Sequence, residues 1–141
     1  MSKNDKNIML ALVVEEDEER LIREAADIVA KTHADLTVIH VNDPHSGEMS
    51  MMMDSPGPEI LEENIRDLFR SFGFNDLAEA IKVLIIESEN PATAISEAAK
   101  NAYLLIIGHR KMSTFKAHFF DSVDEGIVNN VDCPILVIPK N

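Results

Sequence analysis

The sequence predicts an α/β fold: a doubly wound, five-stranded parallel sheet with helices on both faces. Three observations lead there. Short continuous apolar runs recur along the chain, as in strands buried on both faces. Amphipathic helical patterns stand between those runs. The two kinds of segment alternate through all 141 residues, with no repeat, low-complexity tract or linker, so residues 1–141 read as one domain.

The first run, Ile8 to Val14, is strand one. A helix follows, with Leu21, Ile22, Ala25, Ile28 and Val29 on one face and acids at its start. Asp35 to Val41 is strand two, and the Gly, Pro, Ser and Asp content of Asn42 to Pro58 marks a loop. Ile60 to Phe72 is helical, with Leu61, Ile65, Leu68, Phe69 and Phe72 in register, and Gly73 stands where a C-terminal cap glycine belongs. Ala80 to Glu87 is strand three. Asn90 as N-cap and Pro91 at the first helical position start the next helix. Tyr103 to Gly108 is strand four, Ser122 to Asn130 a helix, and Pro134 to Ile138 strand five. The expectation is therefore five strands and four helices.

Net charge is −12, with 45% hydrophobic and 27% charged residues. That composition fits a globular protein and argues against nucleic acid or an anionic membrane as partner, since both would repel the chain. No apolar run approaches the roughly 20 residues of a membrane span, and the N-terminus lacks a signal-peptide pattern. The single cysteine, Cys133, excludes an internal disulfide. Cytoplasmic localisation is the expectation.

In open parallel sheets, ligands bind beyond the C-terminal strand ends at the switch in strand order. The loops after strands one and four therefore matter most. The second runs from Gly108 to Ser122, "GHRKMSTFKAHFFDS".

With its spacing in view, the chain resembles the universal stress protein family. Nucleotide-binding members of that family carry a glycine after strand four, then two residues, a second glycine, nine residues, and a glycine followed by Ser or Thr. Gly108 fills the first position, Lys111 stands at the second glycine, Asp121 at the third, and Ser122 at the Ser/Thr position. Met112 to Phe120 make the nine-residue spacer, and "VDCPILVIPK" resembles the family's final strand. The resemblance implies a Rossmann-like fold of the adenine-nucleotide alpha-hydrolase kind. It also puts Val13 where ATP-binding members have an Asp, and Val41 among the nucleotide-site positions.

The departures weaken a phosphate cradle. Glycines let the backbone approach phosphate oxygens and adopt positive φ, whereas Lys111 has a Cβ. Asp121 places a carboxylate where phosphate would sit. Like charges about 4 Å apart repel by roughly 4 kcal/mol at an effective dielectric of 20. Ser122 and Glu125 form a Ser-x-x-Glu capping box, and Asp121, Asp124 and Glu125 satisfy the positive helix end. Against this stands a basic island of Arg110, Lys111 and Lys116 with His109 and His118, able to grip an anion by side chains.

The remaining candidates are weaker. Glu15 to Arg20, "EEDEER", reads as an acidic first helical turn that would also repel phosphate. Cys133 reads as a small buried residue. The histidines, His33, His40, His45, His109 and His118, show no metal-ligand spacing. Met49 to Met53 place four methionines in one loop, as suits an adaptable surface. Ser113, Thr114 and Ser122 are hydroxyls that a phosphate could modify beside Lys111 and Lys116.

No catalytic constellation emerges. The resemblance implies a stress-response regulator with no enzyme activity and no cofactor. It would act as a homodimer through the last strand, Pro134 to Ile138, and through protein partners not named by the sequence. The alternative is a nucleotide switch or slow ATPase that binds ATP or AMP with the basic loop.

Overall fold

The computed structural model describes residues 6–14, 18–46, 58–109 and 122–140, the last stretch by its backbone alone over 122–125. Five strands, β1 (Asn7–Ala11), β2 (Asp35–Asn42), β3 (Lys82–Glu87), β4 (Leu104–His109) and β5 (Ile135–Pro139), form one sheet. Five helices connect them: α1 (Glu19–Thr32), α2 (Glu62–Ser71), α3 (Asn75–Ala80), α4 (Pro91–Ala98) and α5 (Ser122–Asn130).

Every strand pair is parallel, and the order is β3-β2-β1-β4-β5. The chain winds outward from β1 to β3, returns to β4 beside β1, and winds outward again. The switch point therefore lies between β1 and β4, where Ile8 to Ala11 pair with Leu104 to Ile107.

Alternation along the strands divides the core. Ile8, Leu10, Leu36, Val38 and Ile106 pack with Leu21, Ile22 and Ala25 of α1 and Ile65 and Phe69 of α2. Met9, Ile39, Leu105 and Ile107 pack on the opposite side with Ile95 of α4 and Ile127 of α5. Gly126 makes the second layer thin: a Cβ there would lie 2.7 Å from Cβ of Ala92, so α5 approaches α4 more closely than a side chain permits.

Local signals account for the start of α4 and the end of α2. Oδ1 of Asn90 accepts from the Thr93 amide at 3.2 Å, and Pro91 opens α4. Gly73 ends the α2 turn at φ +89°, with its own N–H on Arg70 O and that of Phe74 on Phe69 O. This is the Schellman arrangement a left-handed glycine allows.

The structure corrects the expected elements in several places, with strand three starting at Lys82 rather than Ala80 and strand four shifted by one residue to Leu104–His109. Helix α3 was not expected; it follows Gly73 at once and has only six residues. Strand one ends at Ala11 rather than Val14, because Val14 adopts φ 58° and leaves the extended region. Helix α2 starts at Glu62, and Leu61 is an exposed N-cap rather than a core residue; its amide donates to Oδ1 of Asn64 at 2.8 Å. The last strand runs one residue later than Pro134 to Ile138.

Candidate functional site

The crevice beyond the ends of β1 and β4 is formed by Ala11, Val13, Glu18, Leu21, Gly108 and Lys140, with Ile95, Ile107 and Ile127 beneath. It retains only about 40 Å³ of space, on the order of one water. Its occupant is the chain's own ion pair.

Glu18 stands at the N-cap of α1, and its carbonyl accepts the first helical bond, from Ile22 N at 3.0 Å. It lies three, four and seven residues before Leu21, Ile22 and Ala25, so it shares their inward stripe. Its side chain is 0% exposed and forms an ion pair with the Lys140 ammonium, which is 5% exposed. The second carboxylate oxygen accepts the Val14 amide at 3.2 Å. A β-branched residue at positive φ costs about 1–3 kcal/mol, and this bond is one contact that holds Val14 there.

Lys140 is positioned from the other side. Its N–H donates to His109 O at 2.8 Å, continuing the β4–β5 ladder one step past the sheet. The side chain then crosses Gly108. A Cβ on Gly108 would lie 2.6 Å from Lys140 Cδ and 3.0 Å from Leu21 Cδ2. Glycine at this position thus provides the passage through which the lysine stem reaches Glu18.

The crevice brings together two of the residues singled out from sequence. Val13 lines it and is 53% exposed, and Gly108 forms its wall. Val41 lies on β2, with its side chain against the α4–α5 layer. Ser122 opens α5. Lys111 and Asp121 lie outside the described residues, as do Glu15 to Asp17, Met49 to Met53, Arg110, Ser113, Thr114, Lys116 and His118. The side chains of Ser122, Asp124 and Glu125, and so the expected capping box, also lie outside them.

The two residues that fill the site, Glu18 and Lys140, escaped the sequence reading. Glu18 falls in the stretch Glu15 to Arg20, read as an acidic first helical turn that would also repel phosphate; its burial against Lys140 is what that reading lacks. The signal was its place on the apolar stripe of α1.

Elsewhere, His40 is buried on β2, with Nδ1 2.8 Å from Leu12 O and Nε2 3.1 Å from Oδ1 of Asn42. The described residues contain no group of three or more His, Cys, Asp or Glu side chains able to hold a metal. Cys133 is a free, partly buried thiol against the α4–α5 layer, and loss of solvent pushes its pKa upward. A larger groove of about 790 Å³ runs between α1 and the Gly73–Leu77 turn, where Arg23 lies over the Phe74 ring. No described helix is long and apolar enough to cross a membrane.

A doubly wound parallel sheet with its crevice at the β1–β4 switch point defines the class: an α/β protein of Rossmann-like architecture. Within that class the chain belongs to the universal stress protein family, whose sequence profile matches residues 5–139. It is 28% identical to the universal stress protein A homolog of Haemophilus ducreyi, over 95% of this chain and 96% of that one. Its fold is similar to that of a universal stress protein crystallised with cAMP, at TM-score 0.66 and 18% identity, covering 99% and 100% of the two chains. It is also similar to UspA from Lactobacillus plantarum, at TM-score 0.63 and 19% identity, with 97% and 99% covered. A universal stress protein from Archaeoglobus fulgidus in complex with dAMP aligns at TM-score 0.54 and 18% identity, with 94% and 97% covered.

Proposed function

We propose that this universal stress protein is a non-enzymatic, cytoplasmic regulator that acts as a homodimer through protein partners and holds no nucleotide tightly. One observation carries the reading: the Glu18–Lys140 ion pair fills the crevice at the β1–β4 switch point. A ligand there would have to displace a buried, charge-paired side chain. The carboxylate also presents negative charge to any incoming phosphate.

The homodimer is supported by the outer edge of β5. This strand pairs with β4 on one side only, and Val137 is 45% exposed with Val128 of α5 also exposed. An apolar sheet edge favours cover by another strand, and a second copy of this chain supplies one.

A nucleotide switch is the second reading. It is favoured by the relatives in complex with cAMP and dAMP and by the basic residues after Gly108. Nucleotide content separates the two. Purified protein is denatured and the supernatant chromatographed, and fresh protein is titrated with ATP and AMP by calorimetry. The expected result is no bound nucleotide and no heat at submillimolar ligand. Co-purified ATP or AMP would overturn the proposal in favour of the switch.

A further inference from the structure

We propose that Glu18 is a resident anion: its carboxylate holds a cation site built by Lys140, and a phosphate monoester binds that site only in competition with it. The inference rests on the reading that the crevice carries no tightly bound nucleotide, and supplies its cause.

Three features make the pair an occupied anion site rather than a surface contact. The first is burial, with both side chains withdrawn from water. Ammonium and carboxylate are costly to desolvate, so loss of the Glu18 carboxylate favours a replacement anion in its place. The second is the donor set. One carboxylate oxygen faces Lys140 Nζ and the other takes the Val14 amide. Two oxygens of a phosphate present the same acceptor pattern, and the N-terminus of α1 adds favourable potential. The third is access. Gly108 leaves the lysine stem its passage, while exposed Val13 borders the same crevice.

The remaining space of about 40 Å³ holds no phosphate while Glu18 is in place. Removing the carboxylate and its stem opens the volume and leaves the ammonium without this partner. Lys140 is thus the anion-holding residue, and Glu18 sets the threshold for entry.

The test compares wild type with Glu18→Ala and Glu18→Ser, using inorganic phosphate, AMP and adenosine as probes. Calorimetry gives affinity and thermal melting gives ligand-dependent stabilisation. Glu18→Ala is expected to bind phosphate and AMP about tenfold or more tightly than wild type, with a rise in Tm at millimolar ligand. Adenosine, lacking the anion, gives no gain. Lys140→Met in the Glu18→Ala background abolishes the gain. Glu18→Ser also removes the charge and most of the stem and is a good N-cap residue for α1, so it gains in the same direction and serves if the alanine variant does not fold.

Unchanged affinity for phosphate and AMP in the folded Glu18 variants overturns the proposal, while an empty wild type leaves the regulatory reading standing. A gain for adenosine equal to that for AMP also overturns it, because opened volume rather than a cation site would then explain binding. Tight AMP binding by wild type overturns the regulatory reading instead. A gain for phosphate but not AMP assigns the site to a small free anion; a gain for both assigns it to phosphate monoesters.

Discussion

Nε2 of His40 lies 3.1 Å from Oδ1 of Asn42, and the Asn42 amide is itself clamped to Ile60: Nδ2 donates to Ile60 O at 2.8 Å, and Oδ1 accepts Ile60 N at 3.1 Å. The two Ile60 bonds orient the amide, so the oxygen side faces the ring. The other ring nitrogen meets Leu12 O at 2.8 Å. The chain leaving β1 is thereby tied through His40 and Asn42 to Ile60, just before the N-cap of α2. Asn42→Ala leaves a backbone N–H and C=O at Ile60 without this partner and is expected to cost about 2–3 kcal/mol. His40→Ala is expected to cost about 1–3 kcal/mol through the Leu12 carbonyl and lost packing. Urea unfolding of both singles and the double checks this. The pair should couple by at least about 0.5 kcal/mol, and strict additivity would refute a shared network.

Gly108 is expected to be intolerant of even a methyl group. The backbone there needs no positive φ; the demand comes from Lys140 Cδ at 2.6 Å and Leu21 Cδ2 at 3.0 Å from an added Cβ. Both neighbours are buried and packed, so Gly108→Ala is expected to cost about 1–3 kcal/mol as overpacking. In a Lys140→Ala background the same change should cost less, because the nearer obstacle is gone. Equal cost in both backgrounds, read from urea midpoints, would show that the lysine stem does not set the constraint.

Much of this architecture is legible from the chain. The central strands announce themselves because they are buried on both faces, as Ile8, Met9 and Leu10 illustrate, while the edge strands β3 and β5 are only partly buried but keep apolar runs. Asn90-Pro91 and Gly73 mark helix ends because their chemistry is local. Helix α3 was hidden because six residues directly after a cap glycine give too short a window for a helical period. The site was hidden for a different reason. Glu18 occupies a core position of the α1 stripe but carries a charge, so an apolar pattern skips it. Its partner stands at the far end of the chain, and only β4–β5 pairing brings Lys140 to the end of β1. A buried ion pair is a tertiary fact, and neither half declares it alone.

Cys133 is expected to be a slow nucleophile in the folded protein. Partial burial raises its thiol pKa, and nearby Asp132 adds to the rise, against weaker opposing hydrogen bonds. Folding thus favours the protonated thiol. The associated stability is fully present below the ordinary thiol pKa and is lost as pH rises through the raised one. Alkylation by iodoacetamide near neutral pH should be slower in the native than in the urea-unfolded protein, and the native rate should climb at higher pH than the unfolded rate does. Equal rates in the two states would contradict this and mark the thiol as a reactive group.

The edge of β5 gives the sharpest test of assembly. Val137 lies on the outermost strand, opposite Ile107 in the β4 register, and is 45% exposed. Its replacement should leave the folded chain within about 0.5 kcal/mol of wild type, since an exposed side chain contributes little to the core. A charge there would oppose strand pairing between two copies, because lysine on a sheet edge is a natural block to such pairing. Wild type is expected to run as a dimer by light scattering at micromolar concentration, and Val137→Lys as a folded monomer by mass and circular dichroism. Leu61→Lys, at another exposed apolar position, the N-cap of α2, serves as the control and should remain dimeric. A dimeric Val137→Lys would move the interface away from β5, and a monomeric wild type would refute the homodimer itself.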